Sequence, residues 1–559
     1  MRCVMIAASL LLAMNLHAQL DDNYVEGMPT IAITQRSCIA EEDGGEMVSS
    51  RKAPLLSATQ KQACLSAMGS PKILVCLAEF TDVKFTVGED AMAVQEVFES
   101  FFNGNGIGAG DNPYSVCDYF KAMSGGLFSP EFVIMDVVTV QHGRRYYGDV
   151  SGIGRRTVFR NDALTQLAPQ IHGRMDEFDT NADGKIDGVV IVFPGCGANV
   201  GDREGMHPAC WTAPSTIAGI TYATELVAPE LLGMDDSDKG GENNAKLNGI
   251  GVYVHEMSHM LGLPDFYDLN YKAAGMDYWS LMDYGEYWHN GYRPTPYTAY
   301  ERNFMGWMPL VELSEPVYIP SMRALDDGGS AYIIYNDGNR DEYYILENRN
   351  AGDEWSASLC TSLGNGLMVY HVDYDAAAWS NNQVNTDAGR QRMTIIPANG
   401  HFELCDNLID DADRYISELK GHLWPLSDDP AAVSYWGIAG NNGLTDVERT
   451  EGGRIAPAAT LHSPNTDGTY LMHKPITEIS YDNSALTVSF SFMGGKSETG
   501  IPDMEEGTGS MGDAFVRVYT VDGRMVANCR ESQLCTMPAG VYILRDTVTG
   551  KTSKRFIGR

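Results

Sequence analysis

The 559-residue sequence lacks several patterns that would assign a function directly. It has no Cys-x-x-Cys pair, no Gly-x-Ser-x-Gly motif and no apolar stretch long enough to span a membrane. The glycine-rich segment 104–110 lacks Gly-x-Gly-x-x-Gly spacing, and Gly495-Lys496-Ser497 lacks the upstream glycine of a phosphate loop. These absences argue against a nucleotide-binding protein, a serine hydrolase with a nucleophile elbow and a membrane-spanning protein.

Basic residues are scarce, because 40 Lys and Arg stand against 74 Asp and Glu, for a formal net charge of −34. Such an acidic surface repels phosphate, so we expect no nucleic-acid partner, and it favours hard cations such as calcium. The 11 cysteines are scattered without the spacing of a disulfide framework. Export would permit disulfides, but the spacing does not predict their connectivity.

The N-terminal part of the sequence has the composition of a processed leader. Arg2, an apolar run over 4–14 and Ala18 predict a signal peptide over residues 1–18, and therefore a secreted, extracellular protein without a transmembrane segment. Residues 19–68 are polar and irregular, which favours a propeptide, and hence a zymogen, over a flexible leader.

The remaining sequence divides by its pattern of apolar residues. Residues 69–310 mix strand and helix patterns and predict an α/β (α+β) domain. Residues 311–495 contain short alternating runs and predict one or two β-sandwich domains. Residues 496–513 predict a linker, and residues 514–559, with eight basic and three acidic side chains and an Asp522-Gly523 hairpin signal, predict a separate small β module.

Single elements can be predicted within these domains. Residues 72–80 predict a buried strand, 91–102 and 114–123 predict helices, and 217–227 predicts a strand that is either interior or a sheet edge open to an extended peptide. Further strands are predicted at 331–335, 343–347, 367–372, 393–396 and 485–492. His371, Asp373 and Asp375 share one strand face, which favours an exposed face over a second metal site.

Two histidines four residues apart give the strongest chemical signal. On a helix, His255 and His259 lie on one face, one turn apart, where they can hold one metal ion, and Glu256 lies beside that face. Apolar residues at 250, 253, 257, 260 and 261 form the opposite face, so we expect the histidines to point into a cleft. The alternatives are a buried histidine pair in a core helix and an inactive zinc-binding relic, although a relic would usually have lost the glutamate.

The sequence also predicts where this helix ends and how the chain continues. Gly262 can adopt the left-handed conformation that ends a helix, and Pro264 cannot continue one. The resulting turn can bring Asp265 to the metal as a third ligand and leave the fourth position open for water, as in catalytic zinc sites. Glu286 and Glu301 are alternative third ligands.

A second metal-binding pattern lies upstream. Asp179, Asn181, Asp183, Lys185 and Asp187 occupy alternate positions around a glycine, as at the start of a calcium loop. The twelfth position holds a valine and a strand pattern comes after it, so the segment is not an EF-hand. We expect a structural Ca²⁺ here, and the alternative is an Asp/Asn/Gly turn without metal.

Longer motifs accompany the histidine pair, namely Asp118-Tyr-Phe-Lys-Ala-Met-Ser-Gly-Gly126, Gly262-Leu-Pro-Asp265, Tyr278-Trp-Ser-Leu-Met-Asp283, Tyr344-Ile-Leu-Glu-Asn-Arg349 and Gly366-Leu-Met-Val-Tyr-His-Val-Asp373. The segment that contains them, about residues 71–494, resembles the immune inhibitor A-like family of secreted zinc metallopeptidases. The resemblance implies a metzincin-like catalytic domain, a propeptide, bound calcium and downstream β domains. Residues 280–284 resemble the metzincin Met-turn, which implies that Met282 packs beneath the zinc.

The C-terminal module carries two shorter motifs, Val516-Arg-Val-Tyr-Thr-Val-Asp-Gly523 and Pro538-Ala-Gly-Val-Tyr-Ile543. They resemble the C-terminal sorting module of type nine secretion substrates. The resemblance implies secretion machinery as a partner, passage across the outer membrane, and cleavage or attachment at the cell surface. An ordinary β accessory domain is the alternative.

Together these features predict a secreted zinc-dependent endopeptidase whose partners are protein and peptide substrates. Zn²⁺ on His255, His259 and Asp265 would lower the pKa of a water molecule, and Glu256 would take its proton and pass it to the leaving amine. Tyr284 is expected to stabilise the oxyanion, with a packing role as the alternative. The rival function is a secreted binding or adhesion protein with a structural zinc, and a small-substrate amidase is a weaker third.

Overall fold

The structure is a computed structural model that describes residues 65–104, 108–148, 155–200, 202, 204–232, 246–270, 272–402, 412–433, 435–496, 515–520, 525–530, 534, 537, 540–546 and 552–557. These residues fall into two compact units, one before residue 498 and one after it. The predicted signal peptide, most of the predicted propeptide and nearly all of the predicted linker lie outside the described residues. No helix within the described ranges is long and apolar enough to cross a membrane.

The first unit mixes helices and strands throughout its described residues. Its described helices are α1 (Ala91–Asn103), α2 (Val116–Met123), α3 (Arg144–Tyr147), α4 (Arg156–Ile171), α5 (Ile250–Met260), α6 (Ala299–Phe304), α7 (Ala357–Leu363), α8 (Ala376–Ser380) and α9 (Ala412–Lys420). Its described strands are β1 (Lys72–Glu79), β2 (Glu131–Ile134), β3 (Val138–Thr139), β4 (Val189–Cys196), β5 (Ala209–Trp211), β6 (Ser215–Ile217), β7 (Ile220–Tyr222), β8 (Glu225–Leu232), β9 (Lys246–Leu247), β10 (Val311–Glu312), β11 (Val317–Met322), β12 (Tyr332–Asn336), β13 (Asn339–Arg349), β14 (Gly366–Asp373), β15 (Met393–Ile395), β16 (Arg449–Glu451), β17 (Arg454–Ala456), β18 (Ile476–Asp482) and β19 (Thr487–Phe492). The predicted mixed α/β class is confirmed at this level.

A seven-stranded sheet organises the first part of this unit, with the order β2-β1-β4-β8-β5, β3 beside β1 and β9 beside β8. Strands β1, β2, β4 and β8 run parallel, whereas β5 and β9 are antiparallel to β8. In β1, Ile73 and Val75 face the core shared with α1, α2 and α5, whereas Leu74 and Cys76 face the core shared with α4. Helices therefore cover both faces, as parallel strands with continuous apolar runs require.

The strand and the two helices predicted before residue 124 are confirmed as β1, α1 and α2. Asp90 caps α1 with its side chain, and Ser115 and Asp118 form a capping box at the start of α2. These caps satisfy N–H groups that the first turn of a helix leaves without partners.

The single strand predicted at 217–227 is wrong. The chain forms the hairpin β6–β7, which turns at Ala218 and Gly219 with positive φ angles of 51° and 81°, before β8 begins. Strand β8 pairs with β4 on one side and with β5 and β9 on the other, so it is interior and offers no free edge.

A five-stranded sheet, β10-β12-β13-β14-β15, dominates the second part of the unit. Its alternate side chains face two different cores, with Ile333 and Ile345 toward the α/β part and Ile334 and Leu346 toward the three-stranded sheet β11-β19-β18. The runs predicted as strands between 331 and 492 all contain observed strands. The segments 69–310 and 311–495 therefore share one compact unit and one continuous core.

The last four residues of the predicted propeptide, 65–68, pack against the α/β part. The N–H of Leu65 donates to the carbonyl oxygen of Met260 at 3.0 Å, and Trp307 Nε1 donates to that of Ala67 at 2.7 Å. Leu65 and Ala67 are both buried. This short segment thus contacts the last residue of α5.

The second unit contains four described strands in one antiparallel sheet, with the order β21-β20-β22-β23. They are β20 (Phe515–Thr520), β21 (Met525–Arg530), β22 (Gly540–Asp546) and β23 (Thr552–Ile557). Val516, Val518 and Leu544 form its buried face, whereas Arg517 and Arg545 lie opposite each other on the exposed face. The strands lie within the segment predicted as a small β module.

Candidate metal centre

Helix α5 begins at glycines that its surroundings require. Gly249 has no side chain to cap the helix, and the N–H of Ile250 donates to Asn112 Oδ1 at 2.9 Å. A Cβ on Gly251 would lie 1.9 Å from the carbonyl oxygen of Glu286. Only glycine therefore allows the segment Tyr284–Gly291, which is helical in part and kinked at residues 288–290, to pack this closely against α5.

The end of α5 agrees with the sequence prediction. Gly262 has a φ of +95°, its N–H donates to the carbonyl oxygen of His259 at 2.8 Å, and the N–H of Leu263 donates to that of Ser258 at 3.0 Å. These two bonds form a Schellman motif, which satisfies the last carbonyl groups of the helix and reverses the chain. Asp265 lies three residues beyond the glycine and returns to the histidine face.

Three side-chain atoms converge beside α5. Asp265 Oδ1 lies 3.2 Å from His255 Nε2 and 3.3 Å from His259 Nε2. Ligand atoms about 2.0–2.1 Å from a tetrahedral zinc ion lie about 3.3 Å from one another. Beyond these mutual contacts, none of the three atoms has a hydrogen-bond partner among the described residues. The arrangement therefore fits a metal ion held by three protein ligands.

The other nitrogen of each imidazole ring is held by the backbone. His255 Nδ1 lies 2.9 Å from the carbonyl oxygen of Leu281, and His259 Nδ1 lies 2.7 Å from that of Leu263. A carbonyl oxygen can only accept, so each Nδ1 carries a proton, and Nε2 is the nitrogen of each ring that can give its lone pair to a metal ion. Such backbone contacts fix the tautomer and the orientation of metal-binding histidines.

The same three residues are the one group in the described part of the chain whose His, Cys, Asp or Glu ligand atoms come close enough together to hold a metal. His255 and Glu256 have no exposed surface, and His259 is 7% exposed. The prediction of an open cleft is therefore wrong for this structure. The segment Tyr284–Gly291 and the chain after Gly262 cover the polar side of α5, as the sheet covers its apolar side.

Charges at the centre also fit a cation. Burial opposes a charge on His255, but the carboxylates of Glu286 and Asp265 outweigh burial and raise its pKa to about 10. Burial likewise opposes a charge on Asp265, but His259 and His255 lower its pKa below the usual range. Burial raises the pKa of Glu256 to about 7, against the effect of both histidines. The buried carboxylates require positive charge, which a divalent cation supplies where the three atoms meet.

Asn382 completes the surroundings of Asp265, and the sequence interpretation missed it. Asn382 Nδ2 donates to Asp265 Oδ2 at 2.6 Å, and the N–H of Asp265 donates to Asn382 Oδ1 at 2.7 Å. The two residues are 117 positions apart and lie in segments predicted as different domains. No spacing rule links such distant positions.

Comparison with known proteins finds a peptidase family to which the segment that carries these residues is similar. A model described as immune inhibitor A peptidase M6, catalytic domain, matches residues 60–308. This region matches a peptidase catalytic domain. The matched region includes His255, His259, Asp265 and Glu256.

Two curated relatives agree with the match to the M6 peptidase family. The chain is 25% identical over 316 residues to immune inhibitor A of Bacillus thuringiensis subsp. alesti, which covers 47% of this chain and 44% of that protein. It is 26% identical over 229 residues to the pre-pro-metalloprotease PrtV of Vibrio cholerae serotype O1 (strain M66-2), which covers 35% of this chain and 24% of that protein. The chain thus spans less than half of the length of these relatives.

The two alternative third ligands lie outside the three-atom cluster. Glu286 Oε1 is 3.9 Å from His255 Nδ1, the nitrogen that faces away from Asp265. Glu301 caps α6, because its carboxylate accepts from the N–H of Thr298 at 2.5 Å and from Ser280 Oγ at 2.7 Å. Both carboxylates are buried, but the Nε2 atoms of His255 and His259 meet Asp265 and not these two glutamates.

Met282 lies in the turn after the 3₁₀ segment Asp277–Trp279, and Tyr284 begins the segment Tyr284–Gly291. Met282 is fully buried, and its carbonyl oxygen accepts from the N–H of Phe266 at 2.8 Å, next to Asp265. Tyr284 is 6% exposed and its ring packs against those of Tyr278 and Tyr287. These contacts agree with the packing role that was the alternative for Tyr284, and its catalytic role stays a prediction.

The predicted calcium loop forms a turn closed by its own hydrogen bonds. Asp179 accepts from the N–H groups of Asp183 and Gly184, and Asn181 Oδ1 accepts from the N–H of Asp183. Lys185 Nζ contacts Asp183 at 2.7 Å. Asp187 turns inward and accepts from the N–H of Thr180 at 2.9 Å. An Asp/Asn/Gly turn without metal is enough to explain these contacts. They do not support calcium binding, which stays a prediction.

Proposed function

We propose that this protein is a secreted zinc-dependent endopeptidase that hydrolyses peptide bonds of proteins. The observation that carries the proposal is the convergence of His255 Nε2, His259 Nε2 and Asp265 Oδ1 at the separations that tetrahedral zinc ligands have. The match of residues 60–308 to a peptidase catalytic domain supports peptide bonds as the target.

His255, His259 and Asp265 would hold the zinc ion. When bound, zinc acidifies a water molecule and polarises the carbonyl group of the substrate. The backbone oxygens of Leu281 and Leu263 keep both Nε2 atoms directed at the ion.

Glu256 would move the proton. It comes directly after His255 on α5, and burial raises the pKa of its carboxyl group to about 7, so the group can both accept and release a proton near neutral pH. The carboxylate takes the proton of the attacking water and delivers it to the leaving amine nitrogen. Tyr284 is proposed as a donor to the oxyanion, and Met282 as a structural residue beneath the site.

The ends of the chain supply the proposed route out of the cell. Residues 1–18 would direct export, residues 19–68 would keep the enzyme latent, and residues 514–559 would act as a sorting module of the type nine secretion kind. The excess of basic residues in 514–559, against an acidic chain, supports a separate role for this segment. A chain without 514–559 should stay in the cell, and undisturbed secretion would contradict the sorting role.

Glu256→Gln tests the enzymatic proposal. The full-length variant should bind zinc like the wild type but lose about 10²- to 10⁴-fold in casein hydrolysis, the contribution of a general base. Glu96→Gln on the exposed face of α1 is the matched control and should keep full activity. Full hydrolysis by Glu256→Gln, or hydrolysis by the wild type that phenanthroline does not inhibit, would contradict the proposal. A zinc-containing wild type without hydrolysis would favour the binding or adhesion protein instead.

A further inference from the structure

A downstream segment is bound to the loop that carries Asp265. This 382–391 segment lies between α8 and β15 and contacts the 265–275 loop at four points. They are Asn382 with Asp265, Asn385 Nδ2 with the carbonyl oxygen of Phe266 (2.6 Å), Asn270 Nδ2 with that of Thr386 (3.1 Å), and the N–H of Gly275 with Gln391 Oε1 (2.8 Å). The contacts are made at residues 265, 266, 270 and 275, so the segment restrains the loop near both of its ends.

The contact between Asn382 and Asp265 is reciprocal and buried. One hydrogen bond holds the side chain of Asp265 through Oδ2, and the other holds its backbone N–H. Asn382 is 7% exposed and Asp265 is 1% exposed, so water does not compete for either bond. A carboxylate held at one oxygen and at its own backbone has little freedom to rotate.

This restraint decides which oxygen meets the histidines. With Oδ2 bound to Asn382, Oδ1 is the oxygen that lies at 3.2 and 3.3 Å from the two imidazole nitrogens. A freely rotating carboxylate would divide its time between several orientations, and only some of these would ligate the ion. Hydrogen-bond partners of ligating carboxylates raise metal affinity by removing that freedom.

The chemistry of the position requires an asparagine. The residue has a φ of +53°, a conformation in which asparagine, aspartate and glycine are tolerated better than other residues. Among these, only asparagine offers both a donor for Oδ2 and an acceptor for the N–H of Asp265. Aspartate at 382 would place two carboxylate oxygens 2.6 Å apart, and glycine would leave both groups without their partners.

Asn385 supports the same loop through the backbone. Its Nδ2 donates to the carbonyl oxygens of Phe266 and Met393, at 2.6 and 2.7 Å, and its Oδ1 accepts from the N–H groups of Arg392 and Met393, at the start of β15. The residue after Asp265 is thus fixed from one side by Asn385 and from the other by the carbonyl oxygen of Met282. Asp265 itself is held by Asn382, through its side chain and its backbone N–H.

We propose that Asn382 is a positioning residue of the metal centre, and that the 382–391 segment is therefore part of that centre rather than of an accessory β domain. The inference rests on the proposed zinc function. Asn382 does not touch the substrate or the ion, and it acts through the orientation of Asp265.

The test measures zinc affinity by competition with a chromophoric chelator on the full chain. Asn382→Asp and Asn382→Gly should both bind zinc about 10- to 100-fold more weakly than the wild type, the effect expected for loss of such a partner. Excess zinc should restore casein hydrolysis in both variants. Asn465→Asp is the matched control, because Asn465 is also buried and its Nδ2 donates to the carbonyl oxygen of Leu471 at 2.9 Å, outside the metal centre. It should keep wild-type zinc affinity.

The outcomes separate this inference from the proposed function. Wild-type zinc affinity in a folded Asn382→Gly or Asn382→Asp protein would overturn the positioning role and leave the peptidase proposal intact. A loss of hydrolysis that excess zinc does not restore would also overturn it, because a general folding defect would then explain the change. A wild-type chain that binds no zinc would instead overturn the proposed function.

Discussion

Replacement of Asp265 by asparagine is the sharpest test of the third ligand. The carboxylate has one oxygen toward the histidines and the other toward Asn382 Nδ2. An amide can satisfy only one of these sides. If its oxygen faces the metal position, its NH₂ group meets the NH₂ group of Asn382, and if the amide is flipped, its NH₂ group faces the metal position and cannot ligate.

The magnitude of the effect comes from this conflict. A buried polar group left without a partner costs about 1–3 kcal/mol, which corresponds to about 5- to 150-fold in an equilibrium constant. The lost negative charge adds to this effect, because the ion would then face fewer compensating carboxylates. We therefore expect Asp265→Asn to weaken zinc binding by at least about tenfold.

The assay compares three variants, in each of which one candidate ligand carboxylate is replaced by the corresponding amide. Glu286→Gln should weaken zinc binding less than Asp265→Asn, because Glu286 Oε1 is 3.9 Å from the nitrogen that faces away from the metal position. Glu301→Gln should lower stability by about 1 kcal/mol through the capping box of α6 and leave zinc affinity unchanged. Chelator competition and thermal melting measure the two effects. A larger loss of zinc affinity in Glu286→Gln or Glu301→Gln than in Asp265→Asn would refute Asp265 as the third ligand.

Three further predictions concern the surroundings of the centre. Alanine usually stabilises a helix interior relative to glycine by about 1 kcal/mol. Gly251→Ala should nevertheless lower the melting temperature, because its Cβ would lie 1.9 Å from the carbonyl oxygen of Glu286. In the control Gly443→Ala the nearest atom to the new Cβ is 3.4 Å away, so this variant should melt like the wild type. Met282→Leu conserves the volume of a buried side chain, so the free energy of unfolding should change by less than about 1.5 kcal/mol and zinc should be retained. Loss of zinc would contradict a purely structural role for Met282. Burial lowers the pKa of His422 to about 3, and its Nδ1 accepts from Trp279 Nε1, so the unfolded chain takes up a proton first as the pH falls below about 6.5. Glutamine at 422 can still accept the hydrogen bond but does not titrate, so the stability of His422→Gln should fall less steeply than that of the wild type between about pH 6.5 and 4. The two slopes, measured by urea unfolding, should differ by up to about 1.4 kcal/mol per pH unit. Parallel stability curves would contradict this.

The parts of the site that depend on local sequence could be predicted. The spacing of His255 and His259, the helix that carries them and its end at Gly262 are consequences of helical periodicity and of the conformational freedom of glycine. The same holds for β1, α1 and α2, whose apolar patterns and capping residues are contiguous in the chain.

The parts that depend on distant segments could not be predicted. Asn382 reaches Asp265 across 117 residues, and no local pattern distinguishes it from other asparagines. His371 and Asp373 were expected on an exposed strand face, but His371 contacts Glu342 at 2.8 Å and both residues are buried. Polar residues on a strand indicate exposure only when nothing packs over them, and here both faces of the five-stranded sheet are covered.

The zinc content of the full chain, measured together with hydrolysis before and after chelation, tests the central claim most directly. Wild-type protein should contain about one zinc ion per chain at its three-ligand site, lose casein hydrolysis when phenanthroline removes the ion and regain it when zinc is returned. His259→Ala should contain no zinc and show no hydrolysis. Hydrolysis that persists without zinc, or wild-type zinc content in His259→Ala, would contradict the claim that His255, His259 and Asp265 form the catalytic metal site.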